Sequence, residues 1–240
     1  MSHSVNTLIM RRGDPADRLR QITEAGRQLL GTVGYQRTRM ADVAVVAGLS
    51  AGSVYTYVGS KEALLHTVLT SFPASLSGPI PELPITAPPL QVTLDAVRAG
   101  LTRDGATPAL QAALHADAPD DVRAELSEIL EEMYSMISRL WPLLAVLERC
   151  ANDIPAIREF YVDGQRRGHL SRFARYVRRR SEEGRLNAFG DPDLSAQVAV
   201  EALTWHAWHR LEGFDEPRFS EPGSREAVIQ FGLGALVADL

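Results

Sequence analysis

The chain is nearly without lysine: Lys61 is the only one, and the other twenty-four basic side chains are arginines. Cysteine is scarcer than average too. Cys150 stands alone, which excludes an intrachain disulfide and any zinc site built on several cysteines. No apolar run approaches the roughly eighteen residues that would span a bilayer, because arginine and proline interrupt every hydrophobic segment. Period-two alternation of apolar and polar residues is missing, so half-buried strands are not expected. Neither a glycine-rich phosphate loop nor a glycine-framed serine of the nucleophile-elbow kind occurs. What remains is a soluble, cytoplasmic, all-α protein with no membrane segment and no cofactor.

What is present is unevenly spread. The 240 residues are 45% hydrophobic, enough for one large core or two smaller ones. Net charge is −5, the wrong sign for nucleic acid, but residues 1–72 carry eight basic against five acidic side chains, and residues 73–240 carry seventeen against twenty-five. A basic head on an acidic body suits a phosphate-binding module joined to something kept off DNA. The first residues, MSHSVNTLIMRRGDPADR, lack a cleavage site and read as a flexible polar arm over 1–14, not a signal peptide. Six prolines in FPASLSGPIPELPITAPPL, Phe72 to Leu90, mark a linker over 71–89. It separates a head, 15–70, from a body, 90–240.

In the head, Leu19, Ile22, Gly26, Leu29, Leu30 and Val33 share one face of a helix from about 17 to 33, closed by Gly34. A second helix over 40–47 buries Val43, Ala44 and Ala47. Ser50 caps a third, and Ser60 caps a fourth that opens on Lys61. Two short helices joined by AGLS form a helix-turn-helix pattern. With Val54 turned inward, 100° per residue puts Val58 and Ala51 beside it. Gly52, Ser53 and Thr56 then face outward, with Tyr55 and Tyr57 on the flanks. Small polar groups of this kind enter a major groove, while phenols on either wall reach phosphate oxygens. Lys61 adds a point charge at a helix N-terminus, where anions are already favoured. Ordinary half-buried packing is the competing reading for Tyr55 and Tyr57, and a solvated face for Ser53 and Thr56.

The run TRMADVAVVAGLSAGSVYTYVGSKEALLHTVL resembles the N-terminal domain of the tetracycline-repressor (TetR) family of bacterial transcriptional regulators. AGRQLLGTVGY before it is similar to that family's first helix, so the resemblance covers about residues 17–70. It implies a three-helix DNA-binding domain, a connecting fourth helix, and a helical C-terminal domain that forms homodimers and binds a small molecule. Val58 replaces a commoner aromatic, and Arg39 stands where a second Thr or Ser often begins helix two. Either Thr38 or Arg39 caps that helix. The DNA-binding candidates are Thr38, Arg39, Ser50, Ala51, Gly52, Ser53, Tyr55, Thr56, Tyr57 and Lys61.

Helices are expected near 90–101, 107–116, 119–149, 154–184, 192–212 and 223–239, the third kinked at Pro142. A cavity beside that kink would be lined by Met133, Tyr134, Met136, Ile137, Trp141, Tyr161, His169, Phe173 and Trp205, which suits an apolar or aromatic effector. The last two helices are apolar nearly all round and must be covered, which suggests a dimer bundle holding Ala202, Trp208 and Leu233. His206, His209 and Glu212 tempt toward metal but lack a converging set of ligands. His115 and Asp117 are too few for a catalytic centre, and the three arginines at 178–180 read as a solvated face. The expected function is a ligand-responsive regulator, a repressor that binds a pseudo-palindromic operator in double-stranded DNA as a dimer. The alternative is an enzyme or interaction module with a vestigial helix-turn-helix head.

Overall fold

The computed structural model describes residues 14–72, 81–188, 190–212 and 219–237. The expected arm and much of the linker lie outside these. Among the described residues the chain is helical, with two isolated bridges and no strand. The order is α1 (Pro15–Arg37), α2 (Met40–Val46), α3 (Ala51–Tyr55), α4 (Lys61–Thr70), α5 (Leu90–Asp104), α6 (Pro108–Ala113) and α7 (Val122–Ala151). After these come α8 (Pro155–Ile157), a π-helical segment (Arg158–Arg166), α9 (Arg167–Glu182), α10 (Pro192–Ala207), a single 3₁₀ turn (His209–Leu211) and α11 (Glu221–Leu236).

Local chemistry explains the boundaries. Asp14, Ser50, Ser60, Asp121, Asp191 and Ser220 each accept a backbone N–H at a helix start. Pro15, Pro108, Pro155 and Pro192 sit in first turns, where a missing N–H costs nothing. Arg39 occupies the cap position of α2 without a side-chain cap bond, and Thr38 instead donates its hydroxyl to Gly34 O at 2.7 Å. The 30-residue α7 continues through Pro142 as one helix.

Packing does not divide at the proline-rich segment. One hydrophobic cluster joins α1–α5 to the C-terminal part of α7, with Leu143, Val146, Leu147 and Cys150 beside Leu30, Leu64 and Val68. A second cluster holds α6, the N-terminal part of α7, α9, α10 and α11. α7 is therefore the beam both cores share. Burial pushes the Cys150 thiol up to about 12, so it stays protonated. The linker also touches the head: Ile85 N donates to Tyr57 O at 2.8 Å, and Gly59 N donates to Ile85 O at 2.9 Å.

Gly34 makes the tightest joint between head and beam. Its φ of +83° and ψ of −179° lie in a region open essentially to glycine alone. A Cβ there would stand 3.0 Å from Asp153 Oδ2 and 3.2 Å from Arg149 O, while Asp153 Oδ2 already accepts the Gln36 N–H at 2.8 Å. Gly34→Ala is expected to cost about 1–3 kcal/mol in urea denaturation. A loss below a few tenths would show that the joint relaxes freely.

Three expectations about the interior need correction. Ala51 is exposed instead of joining the buried stripe, because it is the first residue of a five-residue helix whose buried position is Val54. Ala47 is half-buried. Arg180, expected on a solvated face, is fully buried, whereas Arg178 and Arg179 remain outside or at the edge.

Candidate nucleic-acid interface and effector cavity

The recognition helix is built to be exposed on one side only. Val54 and Val58 are completely buried and fix α3 against α1, α2 and α4. Ser50, Ala51, Gly52, Tyr55 and Thr56 are left at the surface, Ser53 and Tyr57 half-covered. A Cβ on Gly52 would meet nothing within 4 Å, so this glycine answers to no neighbour among the described residues. The hydroxyls are locally satisfied: Ser50 Oγ accepts from Ser53 N at 3.1 Å and lies 2.8 Å from Ser53 Oγ, and Thr56 Oγ1 donates to Ser53 O at 2.7 Å. Each retains lone pairs for a base edge or phosphate-bound water. At the turn, Gly48 takes φ +66°, the left-handed conformation a sharp reversal needs.

Lys61 sits beside this surface but is not free. Its Nζ donates to Gln36 O at 3.2 Å and lies 4.4 Å above the Tyr35 ring. Tyr35 in turn donates to Glu62 Oε1 at 2.8 Å. The Glu62 carboxyl is held below its usual range by its own backbone N–H, then by Ser60 and Tyr35. Arg39 is exposed. Thr38 is not: it is 1% exposed with its hydroxyl committed to Gly34 O, so its side chain is unavailable to DNA.

In the body, a cavity of about 600 Å³ opens between the two hydrophobic clusters. It is walled by the end of α5, the 105–108 turn, α7, the π-helical segment, the start of α9 and α10. Of the expected lining residues, Met136, Ile137, Tyr161 and His169 are present. Met133, Tyr134 and Phe173 are core side chains, each at 0% exposure, because α7 and α9 turn them toward α10 and α11. Trp141 packs at the core edge under the Arg27 guanidinium, 6.0 Å from its ring. Trp205 is 50% exposed on the outside of α10, and Trp208 lines the cavity in its place. Sequence reasoning missed the polar lining: Arg166 lies 3.0 Å from Glu201 and 4.0 Å from Glu148. Its signal was the π-helical turn, which offsets these side chains from the ordinary helical stripe.

Residues 22–68 match the family described as bacterial regulatory proteins, tetR family. That segment is a TetR-family module. It spans most of α1, all of α2 and α3, and nearly all of α4, the elements that carry the exposed recognition surface. Similarity to solved structures extends over most of the chain. The ketosteroid transcriptional regulator KstR2 of Mycobacterium tuberculosis is 17% identical, over 92% of this chain and 96% of that one, with a TM-score of 0.55. A transcriptional regulator from Saccharomonospora viridis in complex with choline is 18% identical, over 93% and 100%, at 0.50. AibR in complex with isovaleryl coenzyme A and operator DNA is 16% identical, over 89% and 97%, also at 0.50. No curated protein matches the chain.

The fold also corrects the expected subunit interface. Leu233 is 3% exposed and Trp208 likewise, so both belong to the chain's own interior, and Ala202 is half-covered. The outward apolar residues are instead Leu194, Val198 and Trp205 on α10 and Phe231 on α11. Among the described residues no helix is long and apolar enough to cross a membrane, and no group of three His, Cys, Asp or Glu could hold a metal ion. His209 Nδ1 pairs with Glu212 Oε2 at 3.1 Å.

Proposed function

We propose that the chain is a ligand-responsive repressor that occupies a pseudo-palindromic operator as a two-fold dimer and leaves it when a small effector fills the cavity. No enzymatic reaction is proposed. The observation that carries this reading is the sharing of walls. The α7 stretch that lines the cavity with Leu140 and Leu144 continues into Val146, Leu147 and Cys150, which pack against the head. α5 bounds the cavity at Leu101 and Thr102, and its other end follows the linker that is hydrogen-bonded to Tyr57 and Gly59. A ligand that spreads α5 from α7 therefore pulls on both attachments of the recognition helix. That two of these structurally similar proteins were solved with small molecules, and one of them with operator DNA as well, agrees with this division of labour. Release requires tighter ligand binding to the DNA-incompetent arrangement, so operator and effector must weaken one another by the same factor.

Base contacts come from the exposed face of α3, through Gly52, Ser53 and Thr56, and phosphate contacts from Arg39, Ser50, Tyr55, Tyr57 and Lys61. Only one of the three Lys61 protons is spent on Gln36 O, which leaves two for a phosphate. A gel shift against the DNA upstream of the chain's own gene tests operator binding. Lys61→Ala is then expected to lower the slope of log affinity against log salt by about 2, at roughly 0.9 per phosphate in each half-site. An unchanged slope removes Lys61 from the phosphate contacts, and no shifted band at all removes the operator.

A further inference from the structure

We propose that the effector is a carboxylate on an elongated apolar body, with its acid group held by Arg172, His169 and Trp208. This rests on the reading of the cavity as an effector site. The long axis of the cavity follows α7, where Met136, Leu140, Leu144 and Glu148 succeed one another at four-residue steps, a rise of about 18 Å. The wall between its ends is largely aliphatic, so the middle of a matching ligand is apolar and extended.

The two ends differ in charge. α9 runs antiparallel to α7, since Arg166 meets Glu148 while Arg180 meets Glu125. Arg172 therefore lies about 9 Å beyond Arg166, toward Met136. α10 brings Trp208 to the same end, because Tyr134 donates to the carbonyl of His206 at 3.4 Å. At the Glu148 end the guanidinium of Arg166 already faces two carboxylates. At the other end Arg172 has no carboxylate within ion-pair distance among the described residues, and its NH2 lies 3.1 Å from His169 Nδ1.

A guanidinium can only donate, so His169 Nδ1 accepts and the neutral ring carries its proton on Nε2. Burial, helped by the nearby Arg172 charge, pushes the His169 pKa down to about 4, so the ring is neutral at ordinary pH. Among the described residues Nε2–H then has no acceptor, and neither has the indole Nε1–H of Trp208, a residue only 3% exposed. Both unpartnered buried atoms of the lining are donors, and they stand at the end that holds the unpaired cation. Orphaned buried donors are rare and costly, and a carboxylate offers two oxygens to satisfy them together with Arg172.

Isothermal titration of the full chain with dodecanoate, dodecanol and dodecylamine, all below their micelle concentrations, tests this. Dodecanoate is expected to bind at least about tenfold more tightly than dodecanol. Arg172→Ala should abolish that preference while dodecanol binding stays unchanged, and Arg172→Lys should restore part of it. Trp208→Phe, which removes the N–H and keeps an aromatic ring, should weaken dodecanoate alone. Equal binding of dodecanoate and dodecanol, tighter binding of dodecylamine, or full dodecanoate affinity in Arg172→Ala would overturn the carboxylate assignment and leave the effector reading standing. Failure of all three ligands to bind would overturn both.

Discussion

Arg180→Ala is expected to destabilise the protein by about 3–5 kcal/mol, the cost of breaking a buried ion pair from one side. The side chain is fully buried. Its Nε and NH2 reach the two oxygens of Glu125 at 2.9 and 2.8 Å, and its NH1 reaches Glu183 at 2.8 Å. NH2 also faces the carbonyls of Ala113, Ala116 and Asp117 at 3.3–3.4 Å, and Tyr176 donates to Glu125 at 3.0 Å. One guanidinium thus ties the end of α6, the loop after it, the start of α7 and the end of α9. Removing it leaves the largely buried Glu125 carboxylate without its cation, with Tyr176 as a remaining donor. Glu125→Leu alone, or Arg180→Met alone, should be nearly as costly, whereas the Arg180→Met/Glu125→Leu double variant should recover part of the loss, because neither charge is then left facing a missing partner. Urea denaturation of the four proteins gives the coupling energy. If Arg180→Ala falls within about 1 kcal/mol of the parent, the typical range of a surface pair, the network is decorative.

That arginine also shows where the sequence was readable and where it was misread. Tyr176 and Val177 follow Phe173 by three and four residues, and Arg180 follows Val177 by three, so Arg180 continues the buried stripe of α9. Three consecutive arginines cannot share a face when each residue turns 100°. Treating the run as one solvated patch ignored that geometry. Elsewhere local chemistry was sufficient. The Gly34 break, the Ser50 and Ser60 caps, and the first-turn prolines are decided by neighbouring residues, and they set the head and the number of body helices. The orientation of α10 was not local. Trp205 and Trp208 lie three apart on a helix apolar nearly all round, and the bond from Tyr134 to the His206 carbonyl helps turn Trp208 inward and leave Trp205 outside. For the same reason Met133 and Tyr134 went to the core while Met136 and Ile137, one helical turn away on the adjoining face, reached the cavity.

The outward placement of Trp205 yields the largest expected effect on function. Leu194, Val198 and Trp205, four and seven residues apart, lie on one face of α10 at 57%, 51% and 50% exposure, and Phe231 on α11 is 57% exposed. Large apolar side chains in contiguous rows mark an association surface, and a self-complementary patch closes as a two-fold dimer. In the proposed dimer, Trp205→Glu or Phe231→Glu buries a charge against its symmetry mate and should give a folded monomer with unchanged helix content. A monomer holds a single half-site and loses the linkage between two heads, so operator affinity should fall by about a hundredfold or more. Leu233→Glu is the contrast: at 3% exposure it places its charge in the chain's own core and should unfold the body before any subunits part. Sedimentation and circular dichroism on the same samples separate the two. A Trp205→Glu/Phe231→Glu protein that still sediments as a dimer and still shifts operator DNA would show that α10 and α11 are not the surface through which two copies meet.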